Sequence, residues 1–338
     1  MAPLVLFAEP RTAEEIGWIQ NLIDSDEMRV VAPGTSDRDE LLELARDSEF
    51  IVTKSVQVDA EIIRAAKKLR LVQKYGSYRD KIDIQTAREL GVMVATMPLL
   101  GCVAVAELVM TMVLALSKCL LFADSAVRSG VYEKLDLRPK LTSERSHAFQ
   151  WANLWNVTEV WGESIGIVGL GEIGVEVSRR ARAFGMKIWY WKRTRLALDQ
   201  EAELGVEWCD TLDSLLKQCR FVSLNVPHTE ATTGLIGARE LQLMREDAYL
   251  VNTSRGGVVD EDALYASLSA GRIAGAGLDV YVYEPLPKES PLLTLDKVIL
   301  TPHIGGGSGR GNRERQMRDV LGNISRVIAE KEPEWRVC

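Results

Sequence analysis

The sequence predicts an α/β protein built from two doubly wound parallel sheets. Three observations carry this: short β-branched runs alternating with amphipathic stretches, a second such series restarting at Ser164, and a length of 338 residues, which favours more than one core. In the first series Leu4 to Phe7, Phe50 to Val52 and Val92 to Ala95 read as strands. Glu14 to Ile23 and Asp59 to Ala66 read as helices between them. Residues Val103 to Gly130 form one long helical pattern ending in a glycine suited to a C-cap. Apolar residues crowd more than one face of its first half, which points to burial at a domain or subunit interface and makes a homodimer the expected assembly. From Lys134 to Val160 no clean period holds, so this segment, with Trp151 and Trp155 and with Trp161 just after it, is expected to be a surface excursion whose aromatic residues anchor packing. The second series then runs through strands IGIVGL, KIWYW, FVSLNV, AYLVNT and AGAGLDV, with helices near Asp213 and Ala263.

Composition excludes several classes. Apolar residues make up 46% and charged residues 26%, as in an ordinary globular protein rather than a disordered or fibrous one. A formal net charge of −7 argues against nonspecific nucleic acid or anionic lipid partners, both of which reward a positive surface, so a small molecule is the expected partner. The opening MAPLVLFAEP has no basic n-region and reads as a first strand. No apolar stretch is expected to approach the ~20 residues that span a bilayer. A cytoplasmic location is the expectation. The five cysteines form no closely spaced pair and are expected to be free thiols.

Gly169, Gly171 and Gly174 form a G-x-G-x-x-G turn directly after the strand Ile165–Val168 and open the following helix. The first glycine permits a tight turn, the second lets backbone approach a pyrophosphate, and the third lets helix pack on strand, while amide N–H groups and the helix dipole face the anion. Glu172 and Ile173 complete the turn, contributing backbone; an acidic side chain at that place suits a helix N-terminus in its own right. The next strand, KIWYW, ends in Lys192, Arg193, Thr194 and Arg195 where an NAD-specific site would place a carboxylate for the ribose hydroxyls. Three cations suit a 2′-phosphate, so NADP is the expected cofactor, with NAD as the second.

VGLGEIG at 168–174, NTSRGGVVDEDAL at 252–264, GLDVYVYEPLP at 277–287 and TPHIGGGSG at 301–309 together resemble the D-isomer-specific 2-hydroxyacid dehydrogenases, over nearly the whole chain. The resemblance implies a Rossmann cofactor domain, 101–302, inserted in a flavodoxin-like substrate domain made of 1–100 and 303–338. It implies interconversion of a D-2-hydroxy acid and its 2-keto acid. Arg255 would grip the substrate carboxylate, Glu284 would pair with the imidazole, and His303 would exchange the proton. Chemistry asks for the same types: an alkoxide needs a proton from a group poised near neutrality, a planar carboxylate suits a guanidinium, and a carboxylate beside histidine stabilises imidazolium. Of three histidines, His303 alone follows a strand and precedes glycines; His147 and His228 are expected to be structural.

By the same resemblance Asp279 would bond the nicotinamide carboxamide, with Thr253, Ser254 and Gly305 near the ring, while Val226 and Pro227 would line the adenosine side. Ser77 and Tyr78 would offer backbone N–H groups to the substrate carboxylate, with Arg79 as a second anion contact. Tyr78 stands where the family usually has glycine and Arg79 where it usually has an apolar residue, so the substrate side is altered. Two other readings are open: a nucleotide-sensing, corepressor-like binding protein on the same fold, and a relative acting on an atypical acid such as phosphite. Glu284 argues against a formate enzyme, which would carry glutamine there.

Overall fold

The computed structural model describes residues 2–23, 27–77, 79, 81–143, 149–154, 157–306 and 312–338; Tyr78, His147 and Trp155 lie outside this set. The chain forms two compact units, Met1–Val103 with Ser308–Cys338, and Ala104–Gly307. The division therefore keeps His303 with the second unit, where the expected boundaries had placed it at the start of the returning segment.

Unit 1 is built from β1 (Leu4–Phe7), α1 (Ala13–Gln20), β2 (Arg29–Val31), α2 (Arg38–Arg46), β3 (Phe50–Thr53), α3 (Ala60–Ala65), β4 (Leu71–Tyr75), α4 (Ile84–Glu89) and β5 (Met93–Met97). Its strands lie in the order β2-β1-β3-β4-β5, all parallel, the flavodoxin-like order. The helices start where short polar side chains can cap them: Thr12 and Glu15 form a reciprocal capping box, and Asp37, Asp59 and Asp83 each accept backbone N–H bonds in the first turn.

Strand residues alternate between two buried faces. Val5, Phe7, Phe50, Val52 and Leu71 pack on one side, and Leu6, Ile51, Val72 and Val94 on the other. The first face is completed by Met317, Val320, Leu321, Ile324 and Val327 of the last helix. The C-terminal tail then hydrogen-bonds along β5, Thr96 N to Trp335 O and Val337 N to Val94 O, and so covers a sheet edge that would otherwise present unpaired backbone.

A single helix α5 (Leu100–Ser117) carries the chain from unit 1 into unit 2. The long helical pattern is broken here. Ser117 Oγ donates back to Leu114 O and the Ser117 carbonyl accepts from Thr158 N, so it is lost to the helix; Cys119 turns at φ +50° and α6 (Leu120–Arg128) begins. Contrary to the sequence expectation, α5 is long and apolar enough to cross a membrane, with mean hydropathy 2.1 over 18 residues. Val109, Met112, Val113 and Leu116 are buried in the protein.

Unit 2 continues with β6 (Ser164–Val168), α7 (Glu172–Ala183), β7 (Lys187–Trp191), α8 (Leu198–Leu204), β8 (Glu207–Trp208), α9 (Leu212–Gln218) and β9 (Phe221–Leu224). It is completed by α10 (Ala238–Leu243), β10 (Tyr249–Asn252), α11 (Glu261–Ser269), β11 (Gly275–Leu278) and β12 (Val298–Leu300), and α12 (Asn312–Ile328) returns to unit 1. The seven parallel strands run β12-β11-β10-β9-β6-β7-β8. From β6 the chain winds outward through β7 and β8 and then crosses back to β9, so the order reverses between β6 and β9. In open α/β sheets ligands bind outside the carboxyl ends of the strands at such a switch point.

Asn323 ties α12 to the sheet of unit 1: Nδ2 donates to Gln73 Oε1 (2.6 Å) and Glu334 O (3.2 Å), and Oδ1 accepts from Glu334 N (2.6 Å). Replacing it with alanine strands these buried groups, and N323A is expected to lose about 1–3 kcal/mol of unit 1 stability. Urea unfolding followed by far-UV circular dichroism would show this as a lower midpoint; an unchanged midpoint would mean that water replaces the side chain at no cost.

Candidate active site

Every functional loop of unit 2 leaves the carboxyl edge of its sheet. Gly169 follows β6, Lys192–Arg195 follow β7, Asn225–Pro227 follow β9, Thr253–Arg255 follow β10, Asp279–Glu284 follow β11, and His303 follows β12. The alternation of strand and helix forces this, since each parallel strand must release its chain at the same end.

The glycine turn has the shape a dinucleotide needs. Gly169 has φ +93°, and a Cβ there would lie 2.7 Å from Val226 Cγ1 and 2.9 Å from Asn225 O. A Cβ on Gly174 would lie 2.6 Å from Gly169 O, whereas one on Gly171 would meet nothing within 4 Å. Backbone is thus packed behind the turn and open in front. Gly171 is the N-cap of α7 and supplies no side-chain cap, so the turn opens onto the positive end of a helix, the kind of terminus that receives an anion. Two buried polar atoms at the same sheet edge, Asn225 Oδ1 and Thr253 Oγ1, have no protein partner among the described residues. Orphaned buried acceptors and hydroxyls of this kind call for a ligand or water. The residues present fit a nicotinamide dinucleotide.

Glu284 and His303 form a dyad at this edge. Glu284 Oε2 lies 2.6 Å from His303 Nδ1, and Glu284 Oε1 accepts from Tyr281 N (3.1 Å). The hydrogen bond from His303 holds the Glu284 carboxyl below its ordinary value, with smaller help from the Tyr281 N–H and from the charges of His303 and Arg255. The contact at Nδ1 sets the orientation of the imidazole ring.

His303 has φ +54°, a left-handed conformation that costs a non-glycine residue about 1–2 kcal/mol. Asp279 holds it there. Its Oδ1 accepts from Thr301 Oγ1 (2.6 Å) and Ile304 N (2.8 Å), and its Oδ2 from Gly305 N (2.8 Å), so both flanks of His303 are fixed by one buried carboxylate. Tyr281 adds a bond from its hydroxyl to Thr301 O (2.9 Å).

Arg255 is positioned by Asn252, whose Oδ1 accepts from Ser254 N (3.0 Å) and Ser254 Oγ (2.8 Å) and whose Nδ2 donates to Arg255 O (3.0 Å). The guanidinium donates to Ser254 O at 2.6 Å. A Cβ on Gly256 would lie 1.9 Å from the carbonyl carbon of Tyr281, so only glycine lets the Arg255 loop and the Glu284 loop come together. Glu261 Oε1 accepts from Val282 N (2.7 Å) and fixes the second loop from below α11.

Other expected residues have different surroundings. The Arg195 guanidinium is paired with Glu201, and Lys192 Nζ lies 3.5 Å from Leu170 O. His228 Nε2 shares a hydrogen bond with Thr233 Oγ1 (2.9 Å) and its ring lies against Gly257. Ser77 and Arg79 stand in unit 1 after β4, Ser77 buried and Arg79 partly so, just beyond Gly76 at φ +146°. Asn225, Asn252, Tyr281, Glu261 and Glu201 were not singled out from sequence. Only Asn252 left a signal, an asparagine at a strand end before Thr-Ser, the pattern of an Asx-type turn.

A parallel sheet with a glycine turn at its switch point, and a carboxylate–histidine dyad after β11 and β12 at the same edge, defines a nucleotide-dependent oxidoreductase. The profile of the D-isomer specific 2-hydroxyacid dehydrogenase, NAD binding domain, matches residues 110–305. The chain is 38% identical over 290 residues to a glyoxylate reductase of Korarchaeum cryptofilum, covering 84% of this chain and 81% of that one. It is 36% identical over 297 residues to a hydroxypyruvate reductase of Thermotoga maritima, covering 87% and 89%. Among solved structures, an acyclic imino acid reductase in complex with NADPH and D-Arg is similar at 26% identity and TM-score 0.53, over 99% of this chain and 100% of that one. The chain belongs to the D-isomer-specific 2-hydroxyacid dehydrogenase family and is a nicotinamide-dependent oxidoreductase acting on a 2-hydroxy acid and its 2-keto acid.

Asp279→Asn places an amide N–H₂ against backbone donors and is expected to release the left-handed turn at His303. Misplacement of a reacting group by about 1 Å costs on the order of 100-fold in kcat/KM. Steady-state kinetics beside cofactor titration would check this: the fall in kcat/KM should far exceed any loss in affinity for the dinucleotide, and equal losses in both would leave Asp279 a cofactor ligand alone.

Proposed function

We propose that His303 is the acid/base of this reaction, that Arg255 binds the substrate carboxylate, and that the protein prefers NADP(H) and works on small 2-keto acids of the glyoxylate and hydroxypyruvate type. The observation that carries the reading is the 2.6 Å contact between His303 Nδ1 and Glu284 Oε2 at the same sheet edge as the glycine turn. When bound, the reduced cofactor supplies a hydride to the keto carbon. His303 Nε2 gives a proton to the keto oxygen, Glu284 stabilises the imidazolium before that transfer, and the neutral imidazole takes up its next proton from solvent. Arg255 orients the acid through its guanidinium, whose charge does not titrate. Thr253 and Asn225 offer the unpartnered polar atoms that a dinucleotide can satisfy. In this reading Asp279 reaches the carboxamide while keeping the bonds it already makes, since each carboxylate oxygen accepts more than one hydrogen bond.

Support for NADP(H) comes from the tip Lys192–Arg193–Thr194, which carries two cations and no carboxylate. The relative solved with NADPH is consistent with it. The likeness to reductases that turn over keto acids weighs against the corepressor-like and phosphite alternatives.

Oxidation of NADPH and NADH, followed at the reduced nicotinamide band with glyoxylate, hydroxypyruvate, pyruvate, 3-phosphohydroxypyruvate and aryl-pyruvates, tests the reading. Turnover of a small acid with NADPH is expected. R255A should abolish saturable substrate binding while sparing the cofactor, and E284Q should lower kcat/KM about 100-fold. Because Glu284 titrates below its ordinary value, its charge persists to lower pH than that of an unpaired glutamate. An acid limb due to Glu284 is therefore expected below the ordinary glutamate value in the wild type and should vanish in E284Q.

The assembly proposed is a homodimer through unit 2, in a cytoplasmic setting that suits five free thiols. A cavity of about 540 Å³ is lined by Leu116, Leu120, Leu121, Phe122, Leu135 and Ile299, and Leu120, Leu121 and Phe122 are each about half exposed. A contiguous apolar face of this kind on a folded unit is a candidate self-association surface. L121E with F122E should give a monomer by light scattering; an unaltered mass would remove this face from the interface.

A further inference from the structure

Arg195 stands at the tip expected to hold a 2′-phosphate, yet its guanidinium is engaged with another group. Nε donates to Glu201 Oε1 and NH2 to Glu201 Oε2, each at 2.8 Å, a fork-on-fork pairing across the start of α8. Half of the Arg195 side chain is exposed but only 9% of that of Glu201. The Glu201 carboxylate also accepts from the hydroxyl of the fully buried Tyr190 (2.6 Å), which in turn accepts from Leu196 N (2.9 Å). Hydrogen bonds from Arg195 first, then Tyr190, hold the Glu201 carboxyl below its ordinary value, so it is charged at neutral pH.

The asymmetry of burial decides what Arg195 can do. A solvated guanidinium could turn to a phosphate freely, but leaving Glu201 would strand a buried carboxylate with Tyr190 as its remaining hydrogen-bond donor. Arg193, by contrast, is exposed and has no ion-pair partner among the described residues.

We propose that Glu201 is a specificity-determining residue of the cofactor site: it withholds Arg195 from the adenosine 2′-phosphate, leaves that recognition to Arg193 with Lys192, and thereby keeps NADH usable as a second cofactor. The inference rests on the NADP(H) reading above. Glu201 touches no cofactor atom in this role; it acts by neutralising one of three cations at the tip.

Binding of 2′,5′-ADP, 5′-AMP, NADPH and NADH, measured by calorimetry or tryptophan quenching on the whole protein, tests this without turnover. In E201Q the amide can still accept from Tyr190 while the charge is gone. NADPH affinity relative to NADH should rise about 3- to 10-fold, 2′,5′-ADP should tighten alike, and the salt dependence of NADPH binding should steepen. The double variant E201Q/R195A should return the ratio to that of the wild type. Y190F, which loosens the same network but keeps the ion pair, should leave the ratio unchanged while lowering the melting temperature. An unchanged or lowered ratio in E201Q overturns the proposal, as does a Y190F variant that shifts the ratio as E201Q does. If the wild type binds 2′,5′-ADP no better than 5′-AMP, the NADP(H) reading falls and the proposal with it. A clear wild-type preference that R193A abolishes and E201Q leaves untouched removes the proposal alone.

Discussion

The chemistry of this protein depends on one buried carboxylate. Asp279 leaves the end of β11 and accepts hydrogen bonds from residues on both sides of His303, and so fixes both flanks of that left-handed turn. The imidazole owes its direction to this constraint, and Glu284 can meet Nδ1 only because the direction is set. A histidine on a freely turning loop would find the carboxylate part of the time and lose the advantage of orientation.

The remaining members of the site are held by close backbone packing together with side-chain hydrogen bonds. Gly256 brings the Arg255 loop against the backbone of Tyr281, and Glu261 and Asn252 fasten the two loops from opposite sides. Each fastening is local to the carboxyl edge of three adjacent strands. Rigid strands beneath and short hydrogen-bonded loops above give Arg255 and the Glu284–His303 pair their places.

Much of this was legible in the sequence, for reasons that differ by residue. Gly169, Gly171 and Gly174 declare themselves because a phosphate-binding turn restricts residue type and spacing together. The strands of both sheets show through because parallel strands buried on both faces must be β-branched runs. The break at Cys119 did not show, since it depends on Thr158 N capturing the Ser117 carbonyl from forty residues away. Arg195 looked like a phosphate ligand because the charge of an arginine is visible in a sequence and the partner that consumes it is not. Glu201, six residues on, reads as an ordinary helix glutamate until the fold buries it. His303 was singled out by family pattern and position; its backbone strain and the Asp279 bonds that maintain it belong to three dimensions only.

The route of the chain has a consequence for how the protein is made. One face of the unit 1 core joins Val5, Phe7 and Phe50 to Met317, Val320 and Ile324. During synthesis the first five strands emerge with that face bare, and it stays bare while some two hundred residues of unit 2 are added. Unit 2 is continuous in sequence and can fold as it leaves the ribosome, whereas unit 1 must wait for α12 and the tail that covers β5. The inserted unit can therefore be complete before the enclosing one, whose open face is closed only once α12 has been made.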